Sequence, residues 1–358
     1  MSRSSINSFL LQQLAATESP LLQDNRTYTV CANTTFVVGA LDVGSATPVG
    51  GGFPLFAVNP NMELICEVPG TCVFTGYAPL LSNSLNITVT NAFLVSQGLP
   101  PLPSDFTPDS SELLVQGMTF RNASDATDNS TAAVVELYGS GTDMTFQDCL
   151  WEEASASNPP RSALFYMHLN DTAHGSLLLD DCTFRSNTFH YAVIRIDDET
   201  KALTATSTGL SMTNVRIHDN NITSKSHETK PTYYVYSGVM VLYNTRGNIT
   251  DLEVKNNAMV KARGAVVLIN SDIEFDDTTF EGNTRSIGLG LQCSHVAHVS
   301  LTTDCDGDES YVDMGCGVDY DGTPPPCSAS WGAPTRCNTN SWMVLFFSVL
   351  LGYFYASA

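Results

Sequence analysis

Apolar residues recur in this chain with a period of two over short stretches, and the stretches themselves recur. Five of them align without gaps: AVVELY from Ala133, ALFYMH from Ala163, AVIRID from Ala192, GVMVLY from Gly238 and AVVLIN from Ala265. The first position is always Ala or Gly. Two residues on stand Val135, Phe165, Ile194, Met240 and Val267, and four on stand Leu137, Met167, Ile196, Leu242 and Ile269. The position between those two holds Glu136, Tyr166, Arg195, Val241 and Leu268, chemically indifferent residues. A small residue and two apolar ones on one face, with a free position between, predict a β-strand with one buried face.

A second column runs through Phe120, Phe146, Phe184, Ile217, Val254 and Phe280, preceded two residues earlier by Met118, Met144, Cys182, Val215, Leu252 or Thr278. Three residues after four of them comes Asn187, Asn220, Asn257 or Asn283. Asn tolerates the left-handed backbone of a tight corner, and its side chain can bond to the next repeat. Each repeat therefore supplies two strands and a turn. First-column residues lie 30, 29, 46 and 27 apart, too irregular for a helical repeat but natural for a fixed frame with loops of varied length. Like strands stacking on their counterparts give parallel sheets without crossover helices.

Segments such as GAVVLINSDIEFDDTTFEGN, residues 264–283, resemble the right-handed parallel β-helix of the pectate-lyase-like superfamily, and in particular its non-enzymatic surface proteins with F-x-x-N repeats. The resemblance covers roughly residues 29–291, opening with TYTVCANTTF and then MELICEVPGTCVF. It implies an all-β solenoid occupying residues 25–292. The open ends of such a fold need caps. Residues 1–24 read as an N-terminal cap helix or a residual leader. Ser4 or Ser5 N-caps a helix with Ile6, Phe9, Leu10 and Leu14 on one face, while Gln12 and Gln13 interrupt what would be a leader's apolar core. The expectation is that the recorded start is not the true one, or that export is unconventional. Residues 293–340 read as a Cys- and Asp-rich capping segment and spacer.

Composition places this frame. With 16 Lys+Arg against 37 Asp+Glu, the formal net charge of the 358 residues is −21, which argues against nucleic acid as a partner. Charged residues are 15% and hydrophobic ones 43%, which argues against disorder. Ten cysteines and eight N-x-[ST] sequons, at Asn25, Asn33, Asn86, Asn122, Asn129, Asn170, Asn221 and Asn248, favour an oxidising secretory route. The tail, residues 341–358, is uncharged and apolar. Small residues at Ser328, Ala329 and Ser330 and the 11-residue polar spacer of residues 331–341 lead into its apolar stretch, residues 342–358. That arrangement directs GPI attachment, here at Ser328, with a short membrane-spanning tail as the alternative. The expected place is the outer face of the plasma membrane or the cell wall, as a monomer.

Chemistry is sparse. Carboxylate pairs occur at Asp180-Asp181, Asp197-Asp198 and Asp276-Asp277, the first and third at comparable places leading into a Phe strand, which suits a solvated corner. The superfamily's galacturonases need N-T-D, D-D, G-H-G and R-I-K. The last two are missing, and Arg195-Ile196-Asp197 is a superficial likeness with Ile196 inward. A lyase or hydrolase is therefore the alternative, not the reading. One residue after the aromatic column, Arg121, Gln147, Arg185, His218, Lys255 and Glu281 should form an outward ladder, a candidate track for acidic polysaccharide. One residue after the small position, Val134, Leu164, Val193, Val239 and Val266 should by alternation point outward, either under a covering loop or as a protein-binding stripe. Cys66 and Cys72 flank EVPGT, whose Pro-Gly turn brings them within disulfide reach. Cys293, Cys305, Cys316, Cys327 and Cys337 are odd in number, so one pairs elsewhere or stays free. Asp304, Asp306 and Asp308 alternate as in a calcium loop, but Glu309 stands where that loop has Gly, so any Ca²⁺ affinity is weak and no other cofactor is expected. The reading is a non-catalytic surface module, structural or adhesive, contacting extracellular polysaccharide or a surface protein.

Overall fold

The structure is a computed structural model. It describes residues 26–38, 55–56, 62–77, 80–82, 112–124, 135–139, 143–155, 163–169, 175–198, 208–223, 237–260, 264–285, 289–294, 298–301 and 317–320. Among these every regular element is a β-strand, and every pairing is parallel. The proposed cap helix, the membrane tail, Ser328 and Asp304, Asp306 and Asp308 lie outside the described residues. No helix among the described residues is long and apolar enough to cross a membrane.

The strands form three sheets of 15, 8 and 4 strands, in which each strand pairs with its counterpart one repeat away. One limb of the 15-stranded sheet contains Arg26–Val30, Met62–Cys66, Glu112–Gln116, Asp143–Gln147 and Ser176–Asp180. A second limb contains Thr35–Val38, Cys72–Tyr77, Met118–Ser124, Leu150–Glu152 and Thr183–Arg185. Three long strands, Thr208–His218, Thr245–Lys255 and Asp272–Glu281, run through both limbs and join them. This stacked arrangement is compatible with a β-helix or solenoid.

The corners have a backbone explanation. Between the limbs, Gly117, Asp148, Asp181, Asn214, Asp251 and Asp277 all take φ between 50° and 69°. After the second limb, Asn122, Glu153, Ser186, Asp219, Asn256 and Gly282 do the same, between 52° and 65°. Left-handed backbone is accessible to Gly, Asn and Asp at low cost, and those three types fill ten of these twelve positions. The conserved-looking Asn column is not the corner itself. Each left-handed residue stands one place earlier, and Asn187, Asn220, Asn257 and Asn283 turn inward and are buried.

There they form a ladder. Asn187 Nδ2 donates to Asn220 Oδ1 (2.9 Å), Asn220 Nδ2 to Asn257 Oδ1 (2.9 Å), and Asn257 Nδ2 to Asn283 Oδ1 (2.9 Å). Each Oδ1 also accepts the backbone N–H of the preceding member, and the second amide hydrogen goes to Trp151, Phe184, Ile217 or Val254 carbonyls. Buried polar groups are tolerated only when satisfied in this way.

Beside the ladder runs an aromatic stack. Phe36, Phe74, Phe120, Trp151 and Phe184 follow one another with ring centroids 5.2, 5.7, 5.2 and 4.4 Å apart. The column continues through Ile217, Val254 and Phe280. Phe146, expected in this column, belongs to the other limb, where it pairs with Val115 and Leu179. Trp151 holds its place, paired with Phe120 and Phe184. Phe146 stands five residues before Trp151, and a gap-free Phe alignment takes it and steps over the tryptophan.

The eight-stranded sheet departs from alternation. In register are Ala163 with Ala192, then Phe165, Ile194, Met240 and Val266, then Met167, Ile196, Leu242 and Leu268. Val193 and Ile194 both donate to the Val239 carbonyl, at 2.9 and 3.0 Å, a bulge that turns two consecutive residues inward. Leu164, Val193 and Val239 are accordingly buried in the main core rather than pointing outward, Val266 is buried there as well, and Val134 lies outside the described residues. In the last repeat the inward residues are Val266 and Leu268, while Val267 and Ile269 pack on the outer face. The repeat is thus slipped by one residue from the sequence alignment, with Gly264 in the small position.

Candidate functional site

The second limb presents its outward side chains as a ladder in register: Arg121, Glu152, Arg185, His218, Lys255 and Glu281. Five of the six residues expected from sequence stand here together. Gln147 does not. It lies on the other limb, between Gln116 and Asp180, and donates to Asp180 Oδ2 (3.2 Å). Glu152, which takes its place, was missed for the same reason as Trp151. The signal was the neighbouring Trp151 itself, the one other large aromatic able to fill the column between Phe120 and Phe184.

The substitution changes the electrostatics. Glu152 is buried, and its carboxylate accepts from Arg121 on one side and from Arg185 on the other, at 2.6 Å and 2.9 Å for the two Arg185 contacts. Burial raises its pKa, but the hydrogen bonds of Arg185 and Arg121 and their charges outweigh it, so the carboxyl titrates below its ordinary value. Further along, Lys255 Nζ lies 3.5 Å from Glu253 and 3.7 Å from Glu281, and His218 Nδ1 lies 2.8 Å from Asp219. Three cations on the ladder face two carboxylates, so it is a nearly balanced alternation rather than a strip of free positive charge.

A second polar group sits on the outer face of the eight-stranded sheet. Arg195 is 7% exposed and forms a bidentate ion pair with Asp197. Its guanidinium lies 4.5 Å from the Tyr191 ring centre and 5.2 Å from that of Tyr166. Burial opposes its charge, yet Asp197 and the two tyrosines reinforce it, and the net shift is upward. Burial and the hydrogen-bonded Tyr191 hydroxyl likewise push the Tyr243 phenol upward. A guanidinium held this way gives up no proton, so it does not serve as a base. Ile196 between them is inward and fully buried, as the sequence pattern requires. The sequence pattern already placed Tyr166 in the same repeat position as Arg195, but not Tyr191 or Tyr243, which come from a turn and another strand.

Two of the three carboxylate pairs fall at corners, while Asp197-Asp198 ends the strand Ala192–Asp198. Asp181 and Asp277 occupy equivalent left-handed positions with φ 51°, and both are exposed. Asp197 is engaged by Arg195. No group of three or more His, Cys, Asp or Glu side chains among the described residues is arranged to hold a metal ion. Cys66 and Cys72 form a disulfide with Cα atoms 5.8 Å apart. Asn33 stands at a left-handed, exposed turn position, Asn122 is left-handed and exposed within the strand Met118–Ser124, Asn248 is exposed within a strand and Asn221 is half-buried. Asn25, Asn86, Asn129 and Asn170 lie outside the described residues. No family model matches the chain, and no curated protein or solved structure shows significant similarity to it.

Proposed function

We propose that the chain is a right-handed parallel β-helix serving as a non-catalytic structural or adhesive module at the cell surface, reached by a secretory route, whose second limb contacts extracellular polysaccharide. The observation that carries this reading is the ladder from Arg121 to Glu281. Each repeat offers one polar side chain, and successive strands in a sheet are about 4.8 Å apart, a period commensurate with an extended polymer. Because the ladder alternates in sign, hydroxyl-rich chains that accept and donate hydrogen bonds suit it better than a dense polyanion, which the net charge of −21 would repel. A solid interior of stacked rings and amides supports a rigid scaffold with its chemistry on the outside.

The test offers the full chain a panel of neutral and acidic polysaccharides, scoring retention and release of reducing or unsaturated ends together. The reading expects retention without cleavage, weakened about tenfold when Arg185, His218 and Lys255 are all changed to Ala. Cleavage of any polymer, or retention indifferent to that triple change, overturns it.

A further inference from the structure

We propose that Cys149 and Cys182 are a matched redox pair that closes into a disulfide joining two successive repeats. Both are thiols in this structure, and both are buried in the main core. They occupy one column. The residues immediately after them, Leu150 and Thr183, are register partners, and the Thr183 N–H donates to the Cys149 carbonyl at 2.9 Å. Aligned residues on neighbouring strands stand about 4.8 Å apart, inside the Cα separation of roughly 4.4–6.8 Å that a disulfide spans.

The thiols also share surroundings. Cys149 Sγ donates toward the carbonyls of Gln147 (3.3 Å) and Val115 (3.5 Å), and Cys182 Sγ toward those of Asp180 and Phe146 (3.4 Å each). The same column holds Met118 and Cys72 on one side and Val215 and Leu252 on the other. Up to Thr278 at its far end the column holds apolar side chains of differing shape, so two adjacent cysteines are not required by packing. Cys72 is already in a disulfide with Cys66, two repeats away in this column.

The chemistry is thiol–disulfide exchange. One cysteine thiolate attacks a sulfur of an external disulfide, forming a mixed disulfide and expelling one thiolate. The second cysteine then displaces the other half. The pair loses two electrons and two protons, and the external disulfide gains them as two thiols. Burial and the neighbouring thiol push the Cys149 pKa up, which suppresses the thiolate and excludes the reagent while the repeats are closed. Exchange therefore belongs to chains whose repeats are opening or not yet docked, and the disulfide then locks the closed form.

The test treats the full chain with oxidised and reduced glutathione in urea at the onset of unfolding, and a parallel sample with dithiothreitol. Both are then diluted, unfolded in N-ethylmaleimide and digested without reduction for mass spectrometry. The expected result is a linked Cys149–Cys182 peptide after glutathione, and maleimide on both residues after dithiothreitol. In Cys149→Ala, Cys182 should carry maleimide or glutathione. Maleimide on both cysteines of the glutathione-treated wild type, or either cysteine joined to a different one, overturns the proposal. Thermal melting gives an independent arm: the Tm difference between the glutathione and dithiothreitol samples should shrink by about 5 °C in the Cys149→Ala/Cys182→Ala double variant. An unchanged difference argues against a formed clamp.

Discussion

Asn220 shows how much one side chain can hold. Its Oδ1 accepts both the backbone N–H and the Nδ2 of Asn187, while its own Nδ2 donates to Phe184 and Asn257. Replacing it with Ala strands two donors of Asn187 in a site 1% exposed. Each buried orphan costs about 1–3 kcal/mol, so Asn220→Ala should destabilise by about 3 kcal/mol, read as a lower urea midpoint. Asn220→Asp keeps the acceptor but loses the amide donors and should also destabilise. Glu152 makes a second case with a pH signature. Its folded pKa is depressed, so the stability it contributes is complete above the unfolded value near 4.5 and is lost as pH falls through the lower folded value. Wild type should therefore exceed Glu152→Gln in stability at neutral pH, and the two urea midpoints should converge as pH drops below about 4. Parallel curves down to low pH would remove the carboxylate from the account.

At the scale of the strand, what was legible in the sequence was the period, and what was not was the register. Phe120, Phe184, Ile217 and Val254 were recognisable because each is flanked by polar outward positions, which makes a two-residue alternation unambiguous. Val266, Val267, Leu268 and Ile269 form an unbroken apolar run, buried on both faces, so a one-residue slip costs nothing in pattern terms. Trp151 hid for a different reason, since an alignment keyed to Phe skips the tryptophan that fills the same space. The bulge at Val193 and Val239 hid because two consecutive apolar residues look like a strand with one face exposed. Gly247 is a fourth element-scale feature that periodicity alone does not reveal. Within the strand Thr245–Lys255, a Cβ added there would lie 1.8 Å from the Leu210 carbonyl oxygen, so Ala cannot enter without moving the neighbouring strand. Gly247→Ala should cost about 2 kcal/mol or more, whereas Gly209→Ala, whose nearest atom would be 3.6 Å away, should be close to neutral. Similar urea midpoints for the two variants would argue against the close approach.

For the whole molecule, the decisive fact is that every described strand pairs only with its counterparts in adjacent repeats. Stability in such an array is a sum of repeat terms and neighbour-interface terms, so damage at one level weakens its two interfaces before it reaches the ends. Trp151 is the best place to apply this. It is fully buried, stacked 4.4 Å from Phe184 and 5.2 Å from Phe120, and edge-on to Phe165 of the opposite sheet at 6.3 Å. Truncation to Ala removes the largest side chain of the core at a junction between both sheets, a loss of about 3–5 kcal/mol. If the array behaves as coupled neighbours, amide exchange in Trp151→Ala should accelerate most in Met118–Ser124, Leu150–Glu152 and Thr183–Arg185. Asp272–Glu281, several repeats away, should keep most of its protection. A uniform loss of protection across all these strands would mean that the chain unfolds as one cooperative unit. In that case the clamp proposed between Cys149 and Cys182 would stabilise the whole molecule rather than its middle, because opening there would then be inseparable from global unfolding.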